Sequence, residues 1–317
     1  MNDLSIGGSE LIDSSLIDFS RYLPEFIAEQ DIKENSKGTY KRALTQFFSF
    51  MATKALQPTS NDILEYKKLL ISQELAAYTI TAYLVVVRKF FAWTESKKIY
   101  PNIARTIKGM KPSRGFRKIC LSNTQIEEVL RKIDRTTIRG IRDFAIINLL
   151  LRTGLRTIEI QRADASDIVN DARGKKILEI QGKGRDTKDG YVVLTDSSLQ
   201  PILDYWAIRG KRNNSEPLFT SVSDRNNGSR MTTGSISRIV KDALRKVGID
   251  DERLTAHSLR HTAITNALLG GATLQQVKEM ARHSNINTTL IYSHNLERMN
   301  DSAEEFIDKY MGNIYAI

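Results

Sequence analysis

Cysteine is nearly missing from this sequence. Cys120 stands alone, which excludes an internal disulfide and a cysteine-rich zinc site and points to a reducing, intracellular compartment. No run of about 18 apolar residues occurs, so no membrane span is expected. The opening stretch MNDLSIGGSELIDSS lacks a basic segment followed by an apolar one, which argues against a secretory signal. There is no Walker-type phosphate loop and no cluster of acidic residues suited to a metal. Internal repeats are absent, and low complexity is confined to the ends.

Positive charge, by contrast, is plentiful. Lys and Arg number 47 against 37 Asp and Glu, giving a net charge of +10 and a pI near 9.5. Such a chain attracts polyanions, and phosphate contacts dominate most nucleic-acid affinity. The 317 residues, 41% of them hydrophobic, suffice for about two domains with sizeable cores.

Residues 1–20 read as a poorly ordered polar lead-in, and residues 21–107 as a helical domain. From Tyr40, the apolar Ala43, Leu44, Phe47, Phe48 and Met51 recur on one helical face, and Asp62–Gln73 and Thr79–Trp93 repeat the pattern. Lys37, Lys41, Arg42, Arg88 and Lys89 make the polar faces basic, which suits them to hold DNA phosphates or, more blandly, to be solvated. Residues 108–118, KGMKPSRGFRK, carry two glycines, a proline and five basic residues, and read as a linker. Its Lys111 and Arg114 are further candidate DNA contacts as the linker runs along a duplex.

From 119 to 317 the texture is mixed α/β. Helices are expected at Thr124–Asp134, Gly140–Arg152, Asp196–Arg209, Thr233–Val247, His257–Leu269 and Leu274–Arg282. A hairpin is expected from Lys176–Gln181 and Tyr191–Leu194 around the loop GKGRDTKDG. A terminal helix over 296–312 has an apolar stripe of Met299, Ala303, Phe306, Ile307 and Tyr310, which needs a cover from its own domain or from elsewhere.

Five short motifs carry chemistry. Arg156 and Glu159 share a helix face if that turn is helical. Lys183 lies between two glycines in the hairpin loop, where backbone can approach a ligand closely. His257 and Arg260 are one helical turn apart, His283 follows the next helix, and Tyr292 comes nine residues later. Phosphodiester cleavage needs fixed donors for the non-bridging oxygens, a nucleophile and a general acid. Arg156 and Arg260 supply guanidinium forks and Tyr292 an attacking oxygen, while Lys183, His257 and His283 supply proton handling and further donors. No cofactor or metal is required. Singly, each residue has a plainer reading: a surface ion pair, a solvated lysine, a core tyrosine, a capping histidine. His257 and His261 also have the i, i+4 spacing of a zinc helix, but Ser258 stands where a zincin carries its glutamate. His261 is assigned to packing or to supporting its neighbours.

The segments TGLRTIEI, QGKGRD, HSLRHTAIT and ARHSNINTTLIYSH, in this order over roughly 120–295, resemble the catalytic signature of the tyrosine recombinases, the phage-integrase and Xer-like family. The resemblance implies a mainly α fold with a small antiparallel β-sheet, built as a two-domain C-shaped clamp of a helical core-binding domain and a mixed α/β catalytic domain. It implies a 3′-phosphotyrosyl intermediate at Tyr292, a scissile phosphate held by Arg156, Arg260 and His283, and Lys183 protonating the leaving 5′ oxygen. His257 would assist deprotonation of Tyr292, and Glu159 would orient its neighbours. The implied partners are double-stranded DNA with inverted-repeat core sites and three further copies of the chain, a homo-tetramer on two duplexes with its C-terminal helices exchanged. Location would be cytoplasmic and nucleoid-associated. Ala281-Arg282 stands where the family often has Leu-Gly, and Thr157-Ile158 where it usually has Ile-Ser. The favoured role is integration, excision or resolution of a mobile element, with chromosome or plasmid dimer resolution as the alternative. A type IB topoisomerase and a non-catalytic DNA-binding regulator are the remaining readings.

Overall fold

The computed structural model describes residues 18–54, 57–111, 120–182, 184–210, 215–300 and 303–311. Lys183 and Arg114 therefore lie outside the described residues, as do most of the lead-in and residues 112–118 of the linker. The chain divides into two compact units, Met1–Phe116 and Arg117–Ile317.

The first unit is helical. A 3-10 turn at Phe19–Tyr22 leads into α1 (Leu23–Ala28), α2 (Glu34–Met51), α3 (Ser60–Ser72) and α4 (Ala77–Ser96). Phe19, inside the expected lead-in, is buried and meets Tyr100 edge-on at 5.1 Å. α3 starts where the Thr59 N–H donates to Asp62 at 2.8 Å, relieving one unpaired donor of the first turn. The apolar faces of the helices converge on Phe26, Leu44, Phe47, Tyr66, Leu84, Phe90 and Phe91, all fully buried or nearly so. Each such side chain contributes about 1.5–3 kcal/mol by leaving water. Residues 108–110 are tied to this unit: Lys67 Nζ donates to the Lys108 carbonyl, and the Met110 N–H to Thr81 Oγ1 at 3.0 Å.

Near the start of the second unit, the Leu121 N–H donates to Thr262 Oγ1 at 2.9 Å. Its elements are α5 (Asn123–Lys132), α6 (Ile138–Thr153), α7 (Thr157–Arg162), β1 (Ile168–Asn170), β2 (Lys176–Ile180), β3 (Gly190–Val193), α8 (Asp196–Arg209), α9 (Thr233–Arg245), α10 (Ala256–Leu269), α11 (Leu274–Ala281), α12 (Asn287–Asn300) and α13 (Ala303–Met311). The sheet is antiparallel in the order β1-β2-β3, pairing Ile168 with Leu178 and Leu178 with Val192. Leu178 and Ile180 point into a core shared with α6, α8 and α9. Within the terminal helix expected over 296–312, the described residues form the end of α12 and the nine-residue α13. No helix among the described residues is long and apolar enough to cross a membrane.

Candidate active site

α6 ends at Gly154, whose φ of 61° is the left-handed conformation that suits glycine. The chain then turns so that Arg156 caps α7. The Arg156 N–H donates to Glu159 Oε2 at 2.7 Å and its Nη1 to Oε1 at 2.9 Å. The i, i+3 pair seen in the sequence thus starts the helix and builds the site together. Glu159 has no exposed surface, whereas the Arg156 side chain keeps 27% of its own.

A second arginine grips the same carboxylate. Arg282 ends α11 in the left-handed region, at φ 54°, and its Nη2 and Nε donate to Glu159 at 2.7 and 3.4 Å. Burial alone would raise the Glu159 pKa, but Arg282 and Arg156 outweigh it and hold the carboxyl below its usual range. Arg260, one turn along α10 from His257, joins from below. Its Nη1 donates to the Gly154 carbonyl at 2.5 Å and its Nη2 to that of Ala281. Burial, and then the charges of Arg156 and Arg282, push its pKa down to about 9. Arginine stays charged near neutrality, so three guanidiniums face one carboxylate, and an entering anion relieves the excess.

Tyr292 lies on α12, its ring in a small apolar cluster with Ile264, Val277 and Ala281. It is 4% exposed. Its hydroxyl shares a hydrogen bond with His261 Nδ1, and its ring stacks on that of His283 at 6.4 Å and 16°. Burial raises the phenol to about 12, although nearby Arg260 pulls the other way. His283 Nδ1 lies 2.9 Å from the hydroxyl of fully buried Thr289. His257, whose N–H donates to Thr255 at 3.3 Å, is exposed and meets His261 edge-on with ring centroids 4.4 Å apart.

Of the residues singled out for catalysis, Arg156, Glu159, His257, Arg260, His283 and Tyr292 come together in this one unit. Three more residues meet this set: His261, which the sequence assigned to packing or support, and Arg282 and Arg162, to which it gave no role. His261 touches the Tyr292 hydroxyl directly; its position four residues from His257 and beside Arg260 was the available signal. Arg282 was visible only as a departure from the family pattern. Arg162, at the far end of α7 from Arg156, donates from Nη1 to the Gly182 carbonyl at 3.0 Å and so pins the residue before Lys183. Among the described residues no group of three or more His, Cys, Asp or Glu side chains is placed to hold a metal.

The basic residues of the first unit are less uniform. Lys37 pairs with Glu34 at 2.9 Å, and half-buried Arg88 donates to the Ile107 carbonyl at 3.5 Å. Lys41, Arg42, Lys89 and Lys111 are exposed, and Lys89 lies 5.4 Å above the Tyr40 ring, so α2 and α4 present their charges side by side.

A helical fold with one small antiparallel sheet, an arginine cluster and a buried tyrosine beside histidines is that of the tyrosine site-specific recombinases. The phage integrase family matches residues 120–299 and the N-terminal SAM-like domain of phage integrases matches residues 19–98, so this chain belongs to the phage integrase family. It is 29% identical over 294 residues to tyrosine recombinase XerD of Rickettsia prowazekii, covering 87% of this chain and 91% of that one. It is 37% identical over 155 residues to tyrosine recombinase XerC of Corynebacterium glutamicum, covering 49% and 47%. The fold is similar to that of XerH recombinase bound to a palindromic difH substrate, with a TM-score of 0.70, 23% identity, and coverage of 88% of this chain and 83% of that one. It is also similar to Tn1549 transposon integrase with transposon right-end DNA, with a TM-score of 0.68, 18% identity, and coverage of 91% and 98%.

Proposed function

We propose that this recombinase cuts one DNA strand at a time by attack of Tyr292 on a phosphodiester held by Arg156, Arg260 and His283. The Tyr292 oxygen bonds to phosphorus, the bond to the 5′ oxygen breaks, and a 3′-phosphotyrosyl ester results. A 5′ hydroxyl from a second duplex reverses these bonds, so no external energy source is needed. The carrying observation is the convergence of the arginine cluster and Tyr292 on α7, α10, α11 and α12. The phenol proton passes to His261, beside exposed His257, and Lys183 protonates the leaving oxygen as the family resemblance implies. Glu159 orients Arg156.

DNA with inverted-repeat core sites is the proposed substrate, and a homo-tetramer on two duplexes the working form. Exposed Ile307 and Tyr310 on α13 support docking of that helix on a neighbouring protomer. Lys41, Arg42, Lys89 and Lys111 would hold phosphates outside the cleavage site. Such an enzyme acts in the cytoplasm on the nucleoid. Resolution or integration of a mobile element is the leading role. Chromosome-dimer resolution is the second, favoured by the near full-length similarity to XerD.

The test is to lyse expressing cells directly in detergent and sequence any DNA still attached to the protein, with Tyr292→Phe in parallel. A sequence-specific adduct lost in the variant supports the reading. Adducts without sequence preference favour topoisomerase-like action, and failure to trap a nicked duplex bearing the native site removes the catalytic reading.

A further inference from the structure

Arg282 occupies a position its backbone disfavours. Only three described residues other than glycine have positive φ, and Arg282 alone of them reaches the cleavage site. A left-handed backbone costs a side-chain-bearing residue free energy that glycine avoids, so something else retains arginine there. Its side chain runs through the unit. Nη1 donates to the Met280 carbonyl at 2.5 Å, the stem passes the start of β3, and the remaining donors close on Glu159. The passage depends on Gly190: a Cβ there would lie 3.3 Å from Arg282 Cδ, tighter than a relaxed contact.

One side chain therefore connects three of the pieces that carry reacting groups. The turn after α11 holds His283 next door, β3 closes the hairpin loop that contains Lys183, and α7 carries Arg156. The electrostatics point the same way. Glu159 has no exposed surface, and Arg156 alone would neutralise it by spending its charge inward. Arg282 takes both oxygens of the carboxylate, so more of the Arg156 charge remains directed to a phosphate.

On the reading of Tyr292 as nucleophile, we propose that Arg282 is a positioning residue for strand cleavage, acting through Glu159 to set the Arg156 guanidinium and through Gly190 to set the end of the β2–β3 loop. It does not touch the phosphate.

The experiment measures single-turnover cleavage of a nicked duplex bearing the native site, at saturating protein, for the full chain and for Arg282→Gly, Arg282→Lys and Gly190→Ala. Duplex affinity and melting temperature are measured on the same samples. Arg282→Gly is expected to slow cleavage by about 10–10²-fold, the scale of a small misplacement of a catalytic group, while duplex affinity stays within about 2-fold. Arg282→Lys should recover part of the rate, and Gly190→Ala should lose about 3-fold by pressing on the stem while leaving every charge in place. In the double variant Arg282→Gly with Gly190→Ala, the second change should add nothing, because the stem it presses on is gone.

A folded Arg282→Gly protein that cleaves as fast as the parent overturns the proposal, as does a rate loss matched by equal loss of duplex affinity. If Arg282→Gly does not fold, Arg282→Lys and Gly190→Ala decide alone, and parental rates in both overturn it. Absence of any Tyr292 adduct in the parent chain is a different result: it removes the proposed function, and the inference that rests on it falls for that separate reason.

Discussion

The Tyr292 hydroxyl is hydrogen-bonded to His261 Nδ1, one turn along α10 from His257. His261 is buried and His257 exposed, so the buried ring makes the contact and the exposed one reaches water. A phenol must lose its proton to attack phosphorus, and the group already bonded to it is the natural first acceptor. His261→Phe keeps a ring in the cluster and removes the nitrogen. It should slow covalent trapping on a nicked duplex by about 10²-fold, the low end for a positioned base. An unchanged rate would return the proton to His257, and a faster one would make the bond a restraint on Tyr292.

The same burial gives Tyr292 a signature in stability. Its folded pKa, about 12, exceeds the ordinary value of 10.0, so the unfolded chain loses this proton first. The stability it contributes is complete below the unfolded value and is lost as pH rises towards the folded one. A shift of this size corresponds to at most about 3 kcal/mol. Urea unfolding of the parent and of Tyr292→Phe should therefore converge or cross as the medium is taken from pH 9 to about pH 11, the parent falling faster. Parallel curves would mean that the hydroxyl is not held as described.

Gly140 should tolerate no side chain. It lies in the first turn of α6, where the Thr137 hydroxyl accepts its N–H at 3.1 Å, and a Cβ would overlap the Asp134 carbonyl oxygen. Backbone cannot swing away as a flexible side chain can. Gly140→Ala should destabilise the second unit by about 3–5 kcal/mol, against the small gain alanine normally brings within a helix. Chemical denaturation measures this, and a loss under about 1 kcal/mol would mean that the start of α6 is placed differently.

Long amphipathic elements were legible because their period repeats. Asp196–Arg209 is α8 to the residue, the first hairpin strand runs one residue past β2, and the second is shifted by one residue from β3. The three-residue β1 and six-residue α7 are too short for a period to register. The same contrast divides the site. Arg156 with Glu159, and His257 with Arg260, are neighbours along one turn, so spacing alone paired them. Arg282 meets Glu159 across 123 positions and Tyr292 meets His261 across 31. Those pairs exist only once α7, α11 and α12 have packed around α10, which no local pattern encodes. The carbonyls of Gly154 and Ala281 that hold Arg260 carry no side-chain signal at all.

The basic face of the first unit offers the last test, because structure divides residues that composition treats alike. Lys37 already has Glu34, and Arg88 already donates to a backbone carbonyl, so their charge is partly committed within the protein. Lys41, Arg42 and Lys89 are exposed on adjoining helices, and Lys89 is held near Tyr40. Each phosphate contact releases about 0.9 counterions from duplex DNA, so removing one should lower the salt dependence of affinity by about one unit of slope. Lys41→Ala, Arg42→Ala and Lys89→Ala are each expected to do so uniformly across duplex sequences, whereas Lys37→Ala should change the slope little. Fluorescence anisotropy over a salt series measures it. Equal slopes in all four variants would make this face a solvated one, and the DNA contacts of the first unit would then lie elsewhere on it.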